Sequence, residues 1–196
     1  MYERKDRFYR RAREQGYRSR AAFKLLELAR RYRLIGPGDR VIDLGAWPGS
    51  WLQVACELGR GGVVVGVDLR PLEAPVTGAA YVVGDVREAS VREQVLAAAG
   101  GPADVVLSDL APQLTGIRDR DEARIEELAE VAMDFALAAL RPGGRFVMKT
   151  FSAPQNAAWL ARLRPSFASV KLTRPEASRS GSAELYLIGL GFRAAR

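Results

Sequence analysis

The chain has 196 residues, 30 Lys/Arg against 23 Asp/Glu for a formal charge of +7, no histidine and a single cysteine, Cys56. The missing histidine excludes a Ser-His-Asp triad, histidine acid–base catalysis and a histidine-ligated metal; the lone cysteine excludes an internal disulfide and a cysteine-rich zinc site, which points to a reducing compartment. Acid–base work therefore falls to Asp, Glu, Lys or Tyr, or to a bound cofactor.

The charge is concentrated at the start. Residues 1–33 hold 12 Lys/Arg against four acids, a net of +8, whereas residues 34–196 hold 18 basic and 19 acidic groups, a net of −1. Tyr2, Phe8, Tyr9, Tyr17, Phe23 and Tyr32 are interleaved with these cations. Basic groups neutralise phosphates and aromatic faces stack on unpaired bases, so the arm is a candidate RNA surface; the alternative is a solvated basic segment in an arginine-biased chain. Of the 30 cations only Lys5, Lys24, Lys149 and Lys171 are lysines, and lysine, unlike arginine, can be tuned by burial.

After the arm, a helix is expected over 19–32, with Ala22, Leu25, Leu26 and Leu28 as its apolar positions. Gly36-Pro37-Gly38-Asp39 breaks it, and 40–44 reads as a short buried strand. A turn and helix follow, then a strand over 63–67 ending in Asp68, a strand over 81–83 followed by Gly84-Asp85, and a helix to about Ala99. A fourth strand, 105–107, ends at Ser108-Asp109. The charged loop 111–120 leads to a long helix reaching about Leu140, whose core face is Ile125, Leu128, Val131, Ala132, Phe135 and Ala139. Arg141-Pro142-Gly143-Gly144 ends it before a strand over 145–148. A helix over 156–163, strands over 169–172 and 185–190, and between those strands a polar loop over 174–183, expected to be mobile or to close over something, complete the chain.

Alternating strands and helices imply an α/β fold, a mostly parallel sheet covered on both faces. The closing pair of strands without a helix between them implies one antiparallel strand, giving a seven-stranded, nucleoside-binding type of sheet with its ligands at the carboxyl ends of the strands. A 48% apolar composition suits one domain that buries roughly 70% of its unfolded surface, with residues 1–33 an arm and helix of the same domain and 34–196 its main body. No apolar run reaches the roughly 18–20 residues of a membrane span, and the first residues lack the apolar stretch of a signal peptide, so a cytoplasmic protein, a monomer with no metal, is expected.

The turn Asp43-Leu-Gly-Ala-Trp-Pro-Gly-Ser-Trp51 places Gly45 and Gly49 where backbone can approach a ligand closely. Position 47 is Trp rather than Gly, so this is not the dinucleotide pattern, and an NAD dehydrogenase is disfavoured. Asp68, Asp85 and Asp109 close successive strands. The first suits two ribose hydroxyls and the second an adenine amine, although each alone could be a helix cap or turn residue.

Five ordered segments carry a resemblance: 18–27 (Arg-Ser-Arg-Ala-Ala-Phe-Lys-Leu-Leu-Glu), the turn 43–51, Ser108-Asp-x-Ala-Pro112, Pro142-Gly-Gly…Lys149-x-Phe151, and Ser178-Arg…Glu184-x-Tyr186. Together they resemble the FtsJ/RrmJ family of S-adenosylmethionine-dependent ribose 2′-O-methyltransferases over about residues 17–192. Ser50 departs from the second glycine usual in the bacterial enzymes. The resemblance implies a Rossmann-like class I methyltransferase fold, a Lys24–Asp109–Lys149–Glu184 catalytic tetrad, and S-adenosylmethionine contacts at Gly49, Trp51, Asp68, Asp85 and Asp109. Read singly, Lys24 is a solvated helix cation, Lys149 a snorkelling strand end and Glu184 a charge that blunts an edge strand; as an ordered set they read as a site.

The resemblance also implies the substrate, a uridine ribose in the A-loop of 23S rRNA on the large ribosomal subunit. The rivals are a tRNA anticodon-loop 2′-O-methyltransferase and a non-catalytic RNA-binding ribosome-assembly protein; a relative carrying an S4-like RNA-binding domain is disfavoured by the short chain. With no histidine, Lys149 is expected to act as general base or to orient the hydroxyl, with Asp109 and Glu184 orienting the lysines and the ribose. A free lysine titrates at about 10.4, so the base role needs burial, Lys24 and the cationic cofactor to oppose the two carboxylates.

Overall fold

The structure, a computed structural model, describes residues 7–112, 115–178 and 182–194. Two helices, α1 (Arg7–Glu14) and α2 (Ala21–Tyr32), precede an alternating series: β1 (Arg40–Leu44), α3 (Ser50–Leu58), β2 (Val63–Asp68), β3 (Ala79–Val83), α4 (Ala89–Ala99), β4 (Ala103–Ser108), α5 (Arg118–Ala139), β5 (Leu140–Phe151), α6 (Gln155–Leu163), a short 3₁₀ turn, β6 (Phe167–Thr173) and β7 (Glu184–Phe192). The strands form a seven-stranded sheet in the order β3-β2-β1-β4-β5-β7-β6. The β1–β5 ladders are parallel and β7 runs antiparallel to both β5 and β6. This is the Rossmann-like arrangement expected, with β7 the single reversed strand.

The central strands are apolar on both faces because helices cover both, and the period of two divides each strand between two cores. Ile42, Leu44, Val65, Val67, Val106 and Phe146 face the helices α4, α5 and α6. Val41, Val64, Val105, Leu107 and Val147 face α2 and α3, where Leu25, Leu28, Trp51 and Leu52 complete the packing. Both central helices bury a face that differs by about one position from the expected one. On α2 the buried set is Ala22, Phe23, Lys24, Leu25, Leu28 and Ala29, and on α5 Ala129, Met133 and Ala136 join Ala132, Phe135 and Ala139 while Ile125 and Val131 sit at the margin.

Two further features depart from local expectation. β5 begins at Leu140, five residues before the expected strand: Leu140 pairs with Ala103 and Arg145 with Val105, so the Arg141–Gly144 segment bulges out of a continuous strand. The arm contains a helix, α1, which buries Ala12 and packs with Phe8 against Phe23, Tyr17 and Ala177. The arm's aromatics are consequently engaged within the molecule: Phe8 and Tyr17 lie 5.8 and 5.7 Å from Phe23, and Tyr32 lies under Arg31 and Lys171. Tyr9, 45% exposed, is an outward aromatic face. Tyr2, Lys5 and Arg179 lie outside the described residues.

Candidate active site

The carboxyl ends of β1 to β5 open onto a cavity of about 720 Å³ whose walls include Gly45, Asp68, Asp85, Asp109 and Lys149. Of the expected site residues these five share the cavity; Gly49, Trp51, Lys24 and Glu184 stand outside its wall. Gly45 and Gly49 are both in the left-handed region, φ 77° and 102°. The close approach they permit is to protein. A Cβ on Gly45 would lie 2.9 Å from the Leu110 nitrogen, and one on Gly49 would lie 2.9 Å from Arg18 Nη1.

Arg18 explains why the turn is so tightly built. Its guanidinium donates to the carbonyls of Pro48, Ala74 and Pro75 at 3.0, 2.6 and 2.8 Å. Its backbone N–H donates to Gln53 Oε1 at 2.9 Å, and Gln53 Nε2 returns a bond to the Gly16 carbonyl. Ser50, in place of the usual glycine, puts its hydroxyl 2.8 Å from that of Ser19. Trp51 is buried, its indole N–H on the Ala21 carbonyl at 3.0 Å and its ring 6.0 Å from Tyr186. The segment 16–21 is thereby stitched to the turn after β1 and to α3.

Asp68 accepts the N–H of Trp47 on one oxygen at 3.1 Å and that of Arg70 on the other at 3.0 Å. Asp85 is gripped by Arg87 through Nε and Nη2 at 2.7–3.0 Å, and Arg87 Nη1 reaches Glu127 of α5 at 2.7 Å. The hydrogen bonds from Arg87 hold the Asp85 carboxyl below the ordinary range despite slight desolvation.

The four tetrad positions come from α2, β4, β5 and β7 and meet as two pairs. Lys149 Nζ lies 2.7 Å from Asp109 Oδ1 and donates to the Asp109 carbonyl at 3.0 Å. Lys24 Nζ lies 2.5 Å from Glu184 Oε2. Both lysine side chains are 8% exposed, against 25% and 23% for their carboxylate partners. Burial by itself would push the Glu184 carboxyl up, but the hydrogen bond and charge of Lys24, the charge of Lys149 and a bond to Ser182 hold it below the ordinary glutamate range. Lys24 is therefore not a solvated helix cation. The Glu27 carboxylate accepts the N–H groups of Glu176 and Ala177 at 2.9 and 3.1 Å, fastening the loop that leads to β7.

Asp43 is the site residue that sequence reasoning missed. It is fully buried at the end of β1, and neither carboxylate oxygen has a hydrogen-bond partner in the protein. Burial, then the charges of Asp109 and Asp68, push its carboxyl well above the ordinary aspartate range. An acid inside the apolar run Val41-Ile-Asp-Leu44 is the signal that could have found it, since such a side chain is rarely buried without a partner. The carboxylates on the cavity wall, Asp68, Asp85 and Asp109, with the partnerless Asp43 buried behind them, suit a ligand that brings donors and positive charge. S-adenosylmethionine brings an amine, two ribose hydroxyls and a sulfonium, so the residues present fit it. Among the described residues no cluster of three or more Cys, Asp or Glu is arranged to hold a metal ion, and no helix is long and apolar enough to cross a membrane.

Comparison with known proteins gives a consistent picture. The chain is 48% identical over 187 residues to ribosomal RNA large subunit methyltransferase E of Methanothrix thermoacetophila, covering 95% of this chain and 72% of that one. It is 48% identical to the protein of the same name from Acidiphilium cryptum, covering 96% and 83%, and 47% identical to that of Methanoculleus marisnigri, covering 96% and 92%. Among solved structures, a Plasmodium falciparum protein named as a ribosomal RNA methyltransferase superposes with a TM-score of 0.80 at 26% identity, covering 92% of this chain and all of that one. The sequence pattern of the FtsJ-like methyltransferases matches residues 17–192, from the segment that fastens the turn after β1 to the end of β7, and the chain belongs to that family.

Proposed function

We propose that this protein methylates a ribose 2′-hydroxyl of large-subunit ribosomal RNA, a uridine of the 23S A-loop, using S-adenosylmethionine, and that it works in the cytoplasm as one domain in which the basic arm serves the methyltransferase body. The observation that carries the reading is the pairing of Lys149 with Asp109 and of Lys24 with Glu184 beside a cavity rimmed by carboxylates. Relatives named as large-subunit rRNA methyltransferases support the substrate class. The exposed Arg10, Arg11 and Arg13 of α1 supply cations for a phosphate backbone.

When bound, S-adenosylmethionine supplies an electrophilic methyl group on a sulfonium. Asp68 would hold its ribose hydroxyls and Asp85 its adenine amine, on lone pairs left by Arg87. Trp51 and Gly49 act indirectly, the first by tying α3 to α2 and the second by admitting Arg18 behind the turn.

The ribose hydroxyl is a weak nucleophile, so the protein must fix its direction and accept its proton. A neutral amine has two N–H bonds and one lone pair. A deprotonated Lys149 would keep two N–H bonds on the carbonyl and carboxylate of Asp109 and turn its lone pair to the 2′-hydroxyl. As the O–CH₃ bond forms, the methyl–sulfur bond of the donor would break with its electron pair returning to sulfur, and Lys149 takes the hydroxyl proton and passes it to water. Glu184, held ionised, fixes Lys24, whose remaining N–H bonds orient the 2′ oxygen.

The test offers radiolabelled S-adenosylmethionine in parallel to large subunits, free rRNA and tRNA, then maps the labelled nucleotide. Label in an A-loop uridine of the subunit is expected; label confined to tRNA overturns the substrate, and no label in any RNA overturns the enzyme reading.

A further inference from the structure

Trp47 stands in the turn after β1 and Arg70 just beyond β2, and the Arg70 guanidinium carbon lies 5.0 Å from the centre of the Trp47 ring. Both residues line the cavity. Trp47 is 39% exposed, which is unusual for so large an apolar side chain, and Arg70 is exposed as well. Their juxtaposition is built rather than accidental. The two oxygens of one carboxylate, Asp68, accept the N–H of Trp47 and the N–H of Arg70, and the Arg70 carbonyl accepts the Tyr81 hydroxyl at 2.7 Å. A ligand hydroxyl held by Asp68 would sit beside the backbone of both residues, at the end of the cavity that their side chains also line.

Topology says which ligand that is. Asp68 ends β2 and Arg70 follows it, on the far side of β1 from β4, which Asp109 follows, and from β5 and β7, which carry Lys149 and Glu184. The pair borders the half of the cavity away from the two lysines. We propose that Trp47 and Arg70 form a wall against the nucleoside end of S-adenosylmethionine, Trp47 packing its ring face on the cofactor and Arg70 closing the outer side of the indole. This rests on the reading of Asp68 as the ribose acceptor. The sequence hides the wall because its two residues stand 23 positions apart.

The chain offers its own reporter. Of its three tryptophans, Trp51 and Trp159 are 2% and 3% exposed while Trp47 is 39% exposed, so a ligand at the wall alters Trp47 emission selectively. The experiment titrates S-adenosylhomocysteine, without RNA, into wild type, Trp47→Phe, Trp47→Ala and Arg70→Ala, reading tryptophan emission and, separately, calorimetric affinity, with thermal transitions confirming that each variant folds. Wild type should show a saturable emission change that Trp47→Phe abolishes. Loss of an aromatic stacking face weakens binding about tenfold or more, expected for Trp47→Ala; loss of an exposed cation–π contact weakens it about two- to fivefold, expected for Arg70→Ala. Persistence of the emission change in Trp47→Phe, or affinity in folded Trp47→Ala within about twofold of wild type, overturns the wall. An emission change produced by a short RNA and not by S-adenosylhomocysteine also overturns it, making Trp47 an RNA platform. Absence of binding heat in wild type is a different result, and it overturns the methyl-donor reading itself.

Discussion

Replacing Lys149 by Arg separates charge from proton transfer. Nζ is fixed by two contacts to one residue, 2.7 Å to the Asp109 carboxylate and 3.0 Å to its carbonyl, in a side chain only 8% exposed. A guanidinium keeps the positive charge and can keep the Asp109 carboxylate bond, but it does not give up a proton at any working pH and has no lone pair to offer a hydroxyl. If Lys149 only balanced charge, the variant would retain most activity. If it accepts the proton, the loss is the whole contribution of a positioned base, about 10²- to 10⁴-fold, or about 3–5 kcal/mol of barrier. The assay is a single turnover with enzyme and cofactor saturating, so that binding and product release do not mask chemistry, with Lys149→Met as a variant of similar length lacking any proton-accepting group. Both should fall at least about a hundredfold. A Lys149→Arg enzyme within about tenfold of wild type would refute the base assignment.

Asp43→Asn mimics the protonated acid that burial favours. Because the folded carboxyl titrates above the unfolded value of about 3.9, folding retains a proton that the unfolded chain releases, so wild-type stability falls as pH rises from about 4 towards the folded value. The stability advantage of Asp43→Asn should therefore be absent in acid and grow towards neutrality, by up to about tenfold in the folding constant per pH unit, in urea titrations; a difference constant with pH would exclude a raised folded carboxyl. Arg18→Ala removes three carbonyl contacts behind the turn and should lower stability by about 1–2 kcal/mol, a partly exposed site giving less than its bond count suggests; an unchanged denaturation midpoint would show that the turn holds itself. Replacing exposed Arg10 and Arg13 by Ala should weaken RNA binding at all sequences and reduce the salt slope by about 1.5, without moving the thermal transition; an unchanged slope would move the RNA surface elsewhere.

The parts of this molecule that local chemistry dictates were legible in the chain. Acids closing β2, β3 and β4 mark the ligand edge, and lysines at 24 and 149 stand out against a background of arginine. What was not legible depends on long-range pairing. The insertion of β7 between β5 and β6 brings Glu184 to Lys24, 160 residues away, and no periodicity encodes it. Lys24 reads as solvent-facing from its neighbours because only that partner makes its burial tolerable. The bulge before Arg145 reads as a helix stop because Pro-Gly-Gly is a turn signal wherever it falls. The arm's aromatics read as base-stacking groups because sequence cannot tell that α1 packs Phe8, Tyr17 and Phe23 against one another. Asp43 reads as one member of a turn motif although its place in an apolar run was a signal, and the structure adds that its fully buried carboxylate has no partner in the protein.

Ribose 2′-O-methylation has a chemical signature independent of enzyme kinetics. Alkaline cleavage of RNA needs a free 2′-hydroxyl, so a methylated ribose leaves an uncut dinucleotide, whereas a methylated base leaves a mononucleotide. Large ribosomal subunits carrying no prior methyl group at the site are incubated with the protein and methyl-labelled S-adenosylmethionine, and the rRNA is hydrolysed in alkali. Label recovered in an alkali-stable dinucleotide containing uridine is the predicted result; label recovered in mononucleotides would contradict the account at its centre.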